Sequence, residues 1–268
     1  MEPVLNEDGT LAREGALDRV PEAFAPVVEA ARACLAETFG PALLHSAYLY
    51  GSIPRGTATV GVSDLDLLVA LREEPAEADR AAVRDLEAGL DRRFPQIDGV
   101  GTLLTSSGTL LSERERYDLG FFVACLCTPL LGEDLAGRLP RYRPTSLLAR
   151  ETNGDLALLL PRWRRRLAEA TTDAERGRLG RWVGRHLVRT GFTLVMPRWG
   201  DWTSDLDEMA AVFGGYYPRR AAQMRTAVRV GRHPAAADPT VLGALIEDLG
   251  PWLAAEYRAA HGVKAPRP

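Results

Sequence analysis

One stretch constrains this chain more than any other: AYLYGSIPRGTATVGVSDLDLLVAL, from Ala47 to Leu71. Leu44 to Tyr50 is a short apolar run of strand character, closed by Gly51-Ser52. Asp64 to Leu71, DLDLLVAL, reads as a second strand bounded by polar residues. Strand alternation puts Asp64 and Asp66 on one face and turns Leu65 and Leu67 the other way. Two neighbouring carboxylates repel, and burying them uncompensated is costly. A shared divalent cation resolves the conflict, and Mg²⁺ suits such carboxylates together with phosphates. An Asp-x-Asp alone is equally at home on an exposed strand, so the upstream residues matter. Gly51-Ser52 opens what the sequence predicts to be a short helix, with Pro54 in its first turn. A helix start presents backbone N–H groups to a phosphate, and glycine permits close approach. The Ser52 hydroxyl adds a hydrogen bond and Arg55 counters negative charge. The alternative is a tight turn capped by Ser52, with Arg55 solvated.

The rest of the chain divides in two. Pro21–Gly40 and Ala76–Phe94 read as helices and Val100–Ser106 as a third strand, whose glycines weaken it. After about residue 140 the strand signals fade. Ser146–Ala170, Asp173–Val195, Ser204–Phe213, Pro218–Val230 and Pro239–His261 all read as helices, with Thr203 and Ser204 as N-caps and Asp207 in the following first turn. Pro140 and Pro144 bracket the boundary. The expected fold is α+β: residues 1–140 form an α/β domain with a small mixed sheet, and residues 141–268 form an all-helical domain ending in a loose tail, HGVKAPRP.

Composition narrows the setting. No run reaches the roughly 18 apolar residues of a membrane span, and the N-terminal MEPVLNEDGTLAREG is too polar for a secretory leader. Cys34, Cys125 and Cys127 make neither a disulfide framework nor a zinc site, so a reducing cytoplasm is the default, with Cys125 and Cys127 in a buried apolar segment. Net charge is -3, and Lys264 is the single lysine among many arginines. That balance disfavours a nucleic-acid partner. Arg178, Arg181, Arg185 and Arg189 share a helical stripe, and Arg162, Arg164, Arg165 and Arg166 form a second cluster. Such arginines make either a solvated face paired with Glu169, Asp173 and Glu175, or a surface for an anion.

Gly51-Ser52, Arg55-Gly56 and Ser63-Asp64-Leu65-Asp66-Leu67 together resemble the signature of the DNA polymerase beta-type nucleotidyltransferase superfamily. Within it, the chain is most similar to bacterial aminoglycoside adenylyltransferases of the streptomycin/spectinomycin type, which also carry a helical C-terminal domain. The likeness extends more loosely over Arg189–Arg225 and over Asp118–Leu135. The resemblance implies transfer of a nucleoside monophosphate, AMP from ATP by family habit, to a hydroxyl of a small molecule, as in antibiotic resistance. It implies one or two Mg²⁺ ions on Asp64 and Asp66, and a nucleotide site drawing on Gly51, Ser52, Arg55, Ser63, Arg189 and Arg198. Trp199 and Trp202 either stack on an acceptor ring or pack helices together. The family's third carboxylate falls at Gly101, which has no side chain; Asp98 lies three residues earlier, and Asp118 reads as a helix cap. Two alternatives follow, a nucleotide-binding module without catalysis and a toxin-like enzyme acting on tRNA.

Overall fold

The computed structural model describes residues 5–233, 235 and 237–265. The chain folds as two compact units, one made of residues up to Asn6 with Leu11–Tyr142, the other of Glu7–Thr10 with residues from Arg143 onward.

The first unit is built on a four-stranded mixed sheet in the order β3-β2-β1-β4. Strand β1 (Leu44–Tyr50) runs antiparallel to β2 (Leu65–Leu71), and β3 (Val100–Ser106) runs parallel to β2. Between Leu65 and Leu71 every residue except Asp66 is buried, so β2 is the central strand its apolar composition demands. Helices α1 (Ala25–Leu43) and α2 (Glu77–Arg93) cover one face. There Val28, Leu35 and Phe39 meet Leu65, Leu67 and Val69 of β2 and Leu86 and Leu90 of α2. The opposite face gathers Tyr48, Leu68, Ala70, Leu110, Val123 and Cys127. It is followed in sequence by short pieces only: α3 (Ser107–Leu110), α4 (Leu119–Phe121) and a π-helical turn at Phe122–Leu126.

That turn leads into β4 (Cys127–Gly132), a strand the sequence reading did not separate from its apolar surroundings. Pro129 argues against a strand there, since proline cannot donate to a ladder. It is tolerated because β4 is a sheet edge paired only with β1. The segment around Cys125 and Cys127 is buried as expected. Burial pushes the Cys125 thiol up to about 12 and Cys127 well above its ordinary value, so both are inert, protonated packing groups at neutral pH.

The second unit is helical, completing the expected α+β class. The stretch expected as one helix over Ser146–Ala170 is two, α5 (Ser146–Asn153) and α6 (Leu156–Glu169). The break is at Gly154, where a side chain would meet the Arg150 carbonyl and the Lys264 backbone nitrogen, 2.9 Å away. Lys264 is itself buried and its N–H donates to the Gly154 carbonyl at 3.1 Å. The tail expected to be loose is therefore docked as far as Lys264, and residues 266–268 lie outside the described residues. Helix α7 (Asp173–Trp199) is the centre of the unit, and Gly200 in the left-handed conformation (φ 82°) ends it. Helices α8 (Leu206–Tyr216) and α9 (Ala221–Arg232) follow. Then come α10 (Pro239–Ala244), a π-helical turn at Leu245–Leu249, and α11 (Gly250–His261). The cap of α8 is Asp205, not Thr203 or Ser204: its carboxylate accepts from the Asp207 and Glu208 N–H groups. Thr203 instead takes the Asp205 N–H and donates to Glu208.

The start of α7 carries a pH dependence. Thr172 Oγ1 accepts from Glu175 N–H at 3.2 Å, while the Glu175 carboxylate accepts from the Thr172 and Thr171 N–H groups at 3.0 and 2.9 Å. These bonds, Thr172's first, hold the Glu175 pKa at about 2, below its ordinary 4.5. A depressed carboxylate contributes stability that is complete above its unfolded value and is lost as pH falls through the folded one. Between pH 4.5 and 2, unfolding midpoints of Glu175→Gln should therefore fall less steeply than those of the unaltered protein.

Candidate active site

Asp66 stands at the middle of the site because of what surrounds its backbone. In the ladders it pairs with Tyr50 of β1 on one side and with Gly101 of β3 on the other. Its side chain leaves the sheet on the face of Leu68 and Ala70, since alternate strand residues share a face. Gly51, directly after β1, has φ of 80°, and a methyl group there would lie 2.4 Å from Asp66 Oδ2. A methyl group at Gly101 would lie 3.7 Å from Asp66 Oδ1, and one at Gly99 would lie 3.8 Å from Asp64 Oδ1. Gly51 thus makes space for the Asp66 carboxylate, whereas a methyl group at Gly99 or Gly101 would make ordinary van der Waals contact with the pair.

The loop that joins the strands is tied at both ends. Gly56 N–H donates to the Ile53 carbonyl at 3.1 Å and Thr57 N–H to the Ser52 carbonyl at 3.0 Å. Residues 51–56 form successive turns rather than the expected short helix. The physical reason is Gly56, whose φ of 75° reverses the chain before a helix can propagate. Ile53 is fully buried and anchors the turn. Ser52 is half-buried within it.

Arg55 is neither simply solvated nor directed at an open site. Its guanidinium pairs with Glu14 Oε1 at 3.4 Å, and Glu14 is itself held by its N–H on the Cys125 carbonyl at 2.8 Å. Ser63 Oγ accepts from Thr59 N–H at 2.9 Å, and the Ser63 carbonyl accepts from Asp98 N–H at 3.0 Å. Its observed work is to close the 59–63 loop and to set the backbone immediately before Asp64. Asp98 lies exposed just outside β3. Asp118 occupies the N-cap position of α4, but its side chain makes no capping hydrogen bond; its carbonyl accepts from Phe122 N–H at 2.9 Å.

A divalent cation fits the donor set in a restricted sense. Two carboxylates with glycine-cleared space suit an Mg²⁺ ion that completes its shell with phosphate oxygens and water. Among the described residues no group of three or more His, Cys, Asp or Glu could hold a metal. The protein therefore supplies two carboxylates, and the position facing Asp66 across the β2–β3 ladder is Gly101.

Arg189 and Arg198 belong to the helical unit. Arg189 is exposed on α7, and the Arg198 guanidinium lies 4.4 Å from the Tyr216 ring centre. Their stripe-mates are partly engaged: Arg185 Nε donates to the Gly231 carbonyl at 3.1 Å. Upstream, Arg162 and Arg166 both lie 5.2 Å from the Trp182 ring centre, and Arg164 pairs with Glu247 at 2.9 Å. Of the partners expected for a solvated face, Asp173 does form an ion pair, but with Arg176 at 2.7 Å. Trp199, two turns along the same helix, and Trp202, in the segment after it, pack edge-on against Phe192 at 5.7 and 5.6 Å. The sequence reading missed Tyr50, which faces Asp66 across the ladder and meets Phe122 edge-on at 4.8 Å. Its position immediately before Gly51 was the available signal.

Residues 30–105, from within α1 to the end of β3, match the family model of the nucleotidyltransferase domain. No curated protein matches the chain. The matched stretch holds Gly51, Ser52, Asp64, Asp66 and Gly101, and a nucleotidyltransferase domain over it supports a transferase enzyme. Such domains generally use a nucleoside triphosphate and a divalent metal. Among the described residues no helix is long and apolar enough to cross a membrane.

Proposed function

We propose that the protein transfers AMP from ATP to a hydroxyl of a small molecule, such as an aminoglycoside or another hydroxylated metabolite, with release of pyrophosphate. The observation that carries this reading is the carboxylate pair in its glycine setting, with Asp66 between Gly51 and Gly101 and Asp64 beside Gly99. Asp64 and Asp66 would hold Mg²⁺, which would supply positive charge to offset that of the triphosphate and its leaving group. Gly51 and Ser52 present the first turn after β1 to the phosphates. Ser63 fixes the approach to Asp64, and Arg55, balanced by Glu14, supplies positive charge beside the turn. Positioning and electrostatics account for most of the rate in such chemistry. Three free thiols suit a reducing cytoplasm.

Thermal unfolding with each of the four common nucleoside triphosphates, with and without Mg²⁺, tests the donor site. A ligand at 100 times its dissociation constant adds about 2.7 kcal/mol, enough to raise the midpoint by several degrees in a chain of this size. A Mg²⁺-dependent rise with one triphosphate is expected, and its loss in Asp64→Asn and Asp66→Asn ties it to the pair. No rise with any triphosphate removes the proposal. Gly101 favours a second reading, in which the nucleotide binds but transfer is slow or lost, because the position facing Asp66 carries no carboxylate. Pyrophosphate release separates the two. If Asp98 serves as the proton acceptor, Asp98→Asn should lower turnover by about 10²-fold or more while leaving triphosphate binding intact.

A further inference from the structure

The helical unit brings a serine and a histidine within hydrogen-bond distance of one another. Ser146 opens α5, is exposed, and has its hydroxyl 2.7 Å from His261 Nδ1 at the end of α11. The other ring nitrogen, Nε2, lies 2.9 Å from the Leu194 carbonyl oxygen of α7. A carbonyl only accepts, so Nε2 carries the ring proton and donates it there. In the neutral imidazole Nδ1 is then bare, and the Ser146 hydroxyl donates to it. Burial lowers the His261 pKa, which keeps the ring in this neutral form at pH 7. The ring is also held in place by Tyr257, edge-on at 5.1 Å, whose own hydroxyl donates to Thr193 Oγ1 at 3.0 Å. A hydroxyl within reach of a base, and a base oriented by a third group, is the arrangement that activates a nucleophile.

We propose that Ser146 is an activated nucleophile, with His261 as its general base, and that it accepts an acyl group from an activated carboxylic ester. Ser146 Oγ forms a bond to the carbonyl carbon and the bond from that carbon to the leaving oxygen breaks. The hydroxyl proton passes to His261 Nδ1 and from there to the leaving oxygen, so acyl-Ser146 and a free alcohol result. The reaction uses neither Asp64 nor Asp66 and stands apart from nucleotidyl transfer.

The test is incubation of the full chain with p-nitrophenyl acetate, following nitrophenolate release and mapping acetyl groups by peptide mass. The expected result is acetylation at Ser146, absent in Ser146→Ala, unchanged in Asp64→Asn, and slower by about 10²–10⁴-fold in His261→Gln. Labelling of the unaltered protein in denaturing urea supplies a check that needs no variant, since unfolding parts Ser146 from His261 and should abolish the reaction there. Acetyl groups found only at other nucleophiles overturn the proposal. So does labelling of Ser146 at the same rate with His261 replaced or the chain unfolded, which would reduce the contact to a tie between helices.

Discussion

Gly51→Ala should abolish Mg²⁺-dependent triphosphate binding, with a modest loss of stability. Two effects act at this position. With φ at 80°, any side chain costs about 1–2 kcal/mol of backbone strain. Separately, the new methyl group would stand 2.4 Å from Asp66 Oδ2, so that carboxylate must rotate away. The first effect is global and tolerable against a stability of roughly 5–15 kcal/mol. The second is local and moves the group on which cation binding depends. Gly61 separates them, because its φ is 73° and a methyl group placed there would have nothing within 4 Å. Gly61→Ala should show similar destabilisation in urea and retain the nucleotide-dependent rise in melting midpoint, whereas Gly51→Ala should lose it. Equal retention in both variants would mean that the Asp66 carboxylate is not at the cation.

The second large effect is expected in the helical unit, at Gly184 of α7. A methyl group there would lie 2.4 Å from the Ala227 carbonyl oxygen and 2.6 Å from the Gly231 nitrogen, both backbone atoms of α9. A flexible side chain could yield, but a helix backbone moves only as a whole. Replacing a helical glycine by alanine gains up to about 1 kcal/mol of propensity, while overpacking costs about 1–3 kcal/mol, the upper end applying where the obstacle is helix backbone. The clash wins, so Gly184→Ala should lower the unfolding free energy measured in urea by a net amount of about 2 kcal/mol. Gly243 of α10 is the control, since nothing lies within 4 Å of a methyl group there. Gly243→Ala should leave stability unchanged or raise it slightly.

The parts of this fold legible in the sequence were those governed by neighbours in the chain. Short apolar runs bounded by polar turn residues exposed β1 and β2, and with them the placement of Asp66. The resemblance, rather than any local pattern, singled out Gly101, and that residue faces Asp66 across the ladder. Long-range contacts were invisible. Nothing near Arg55 announces Glu14, forty-one residues upstream. Gly154 interrupts an apolar pattern that otherwise continues, because the distant Lys264 backbone comes within reach of it. Strand β4 hid behind Pro129, whose acceptability depends on lying at a sheet edge, a property of topology rather than of local sequence. At α8 three candidate caps lie side by side, and the choice of Asp205 over Thr203 and Ser204 depends on backbone geometry that composition does not encode.

The second unit is not one continuous piece of chain, and that has a consequence for the order of its assembly. It includes Glu7–Thr10, a tight segment in which the Asp8 carboxylate accepts from Thr10 N–H at 3.0 Å and Thr10 is buried. Those residues precede the whole of Leu11–Tyr142 in the chain, whereas the rest of their unit starts at Arg143. During translation, Leu11–Tyr142 can complete its own core while the helical unit still waits for its last helices. Glu7–Thr10 must therefore stay available until the helices of their unit have been made, and a fragment beginning at Arg143 would lack a piece of its own unit.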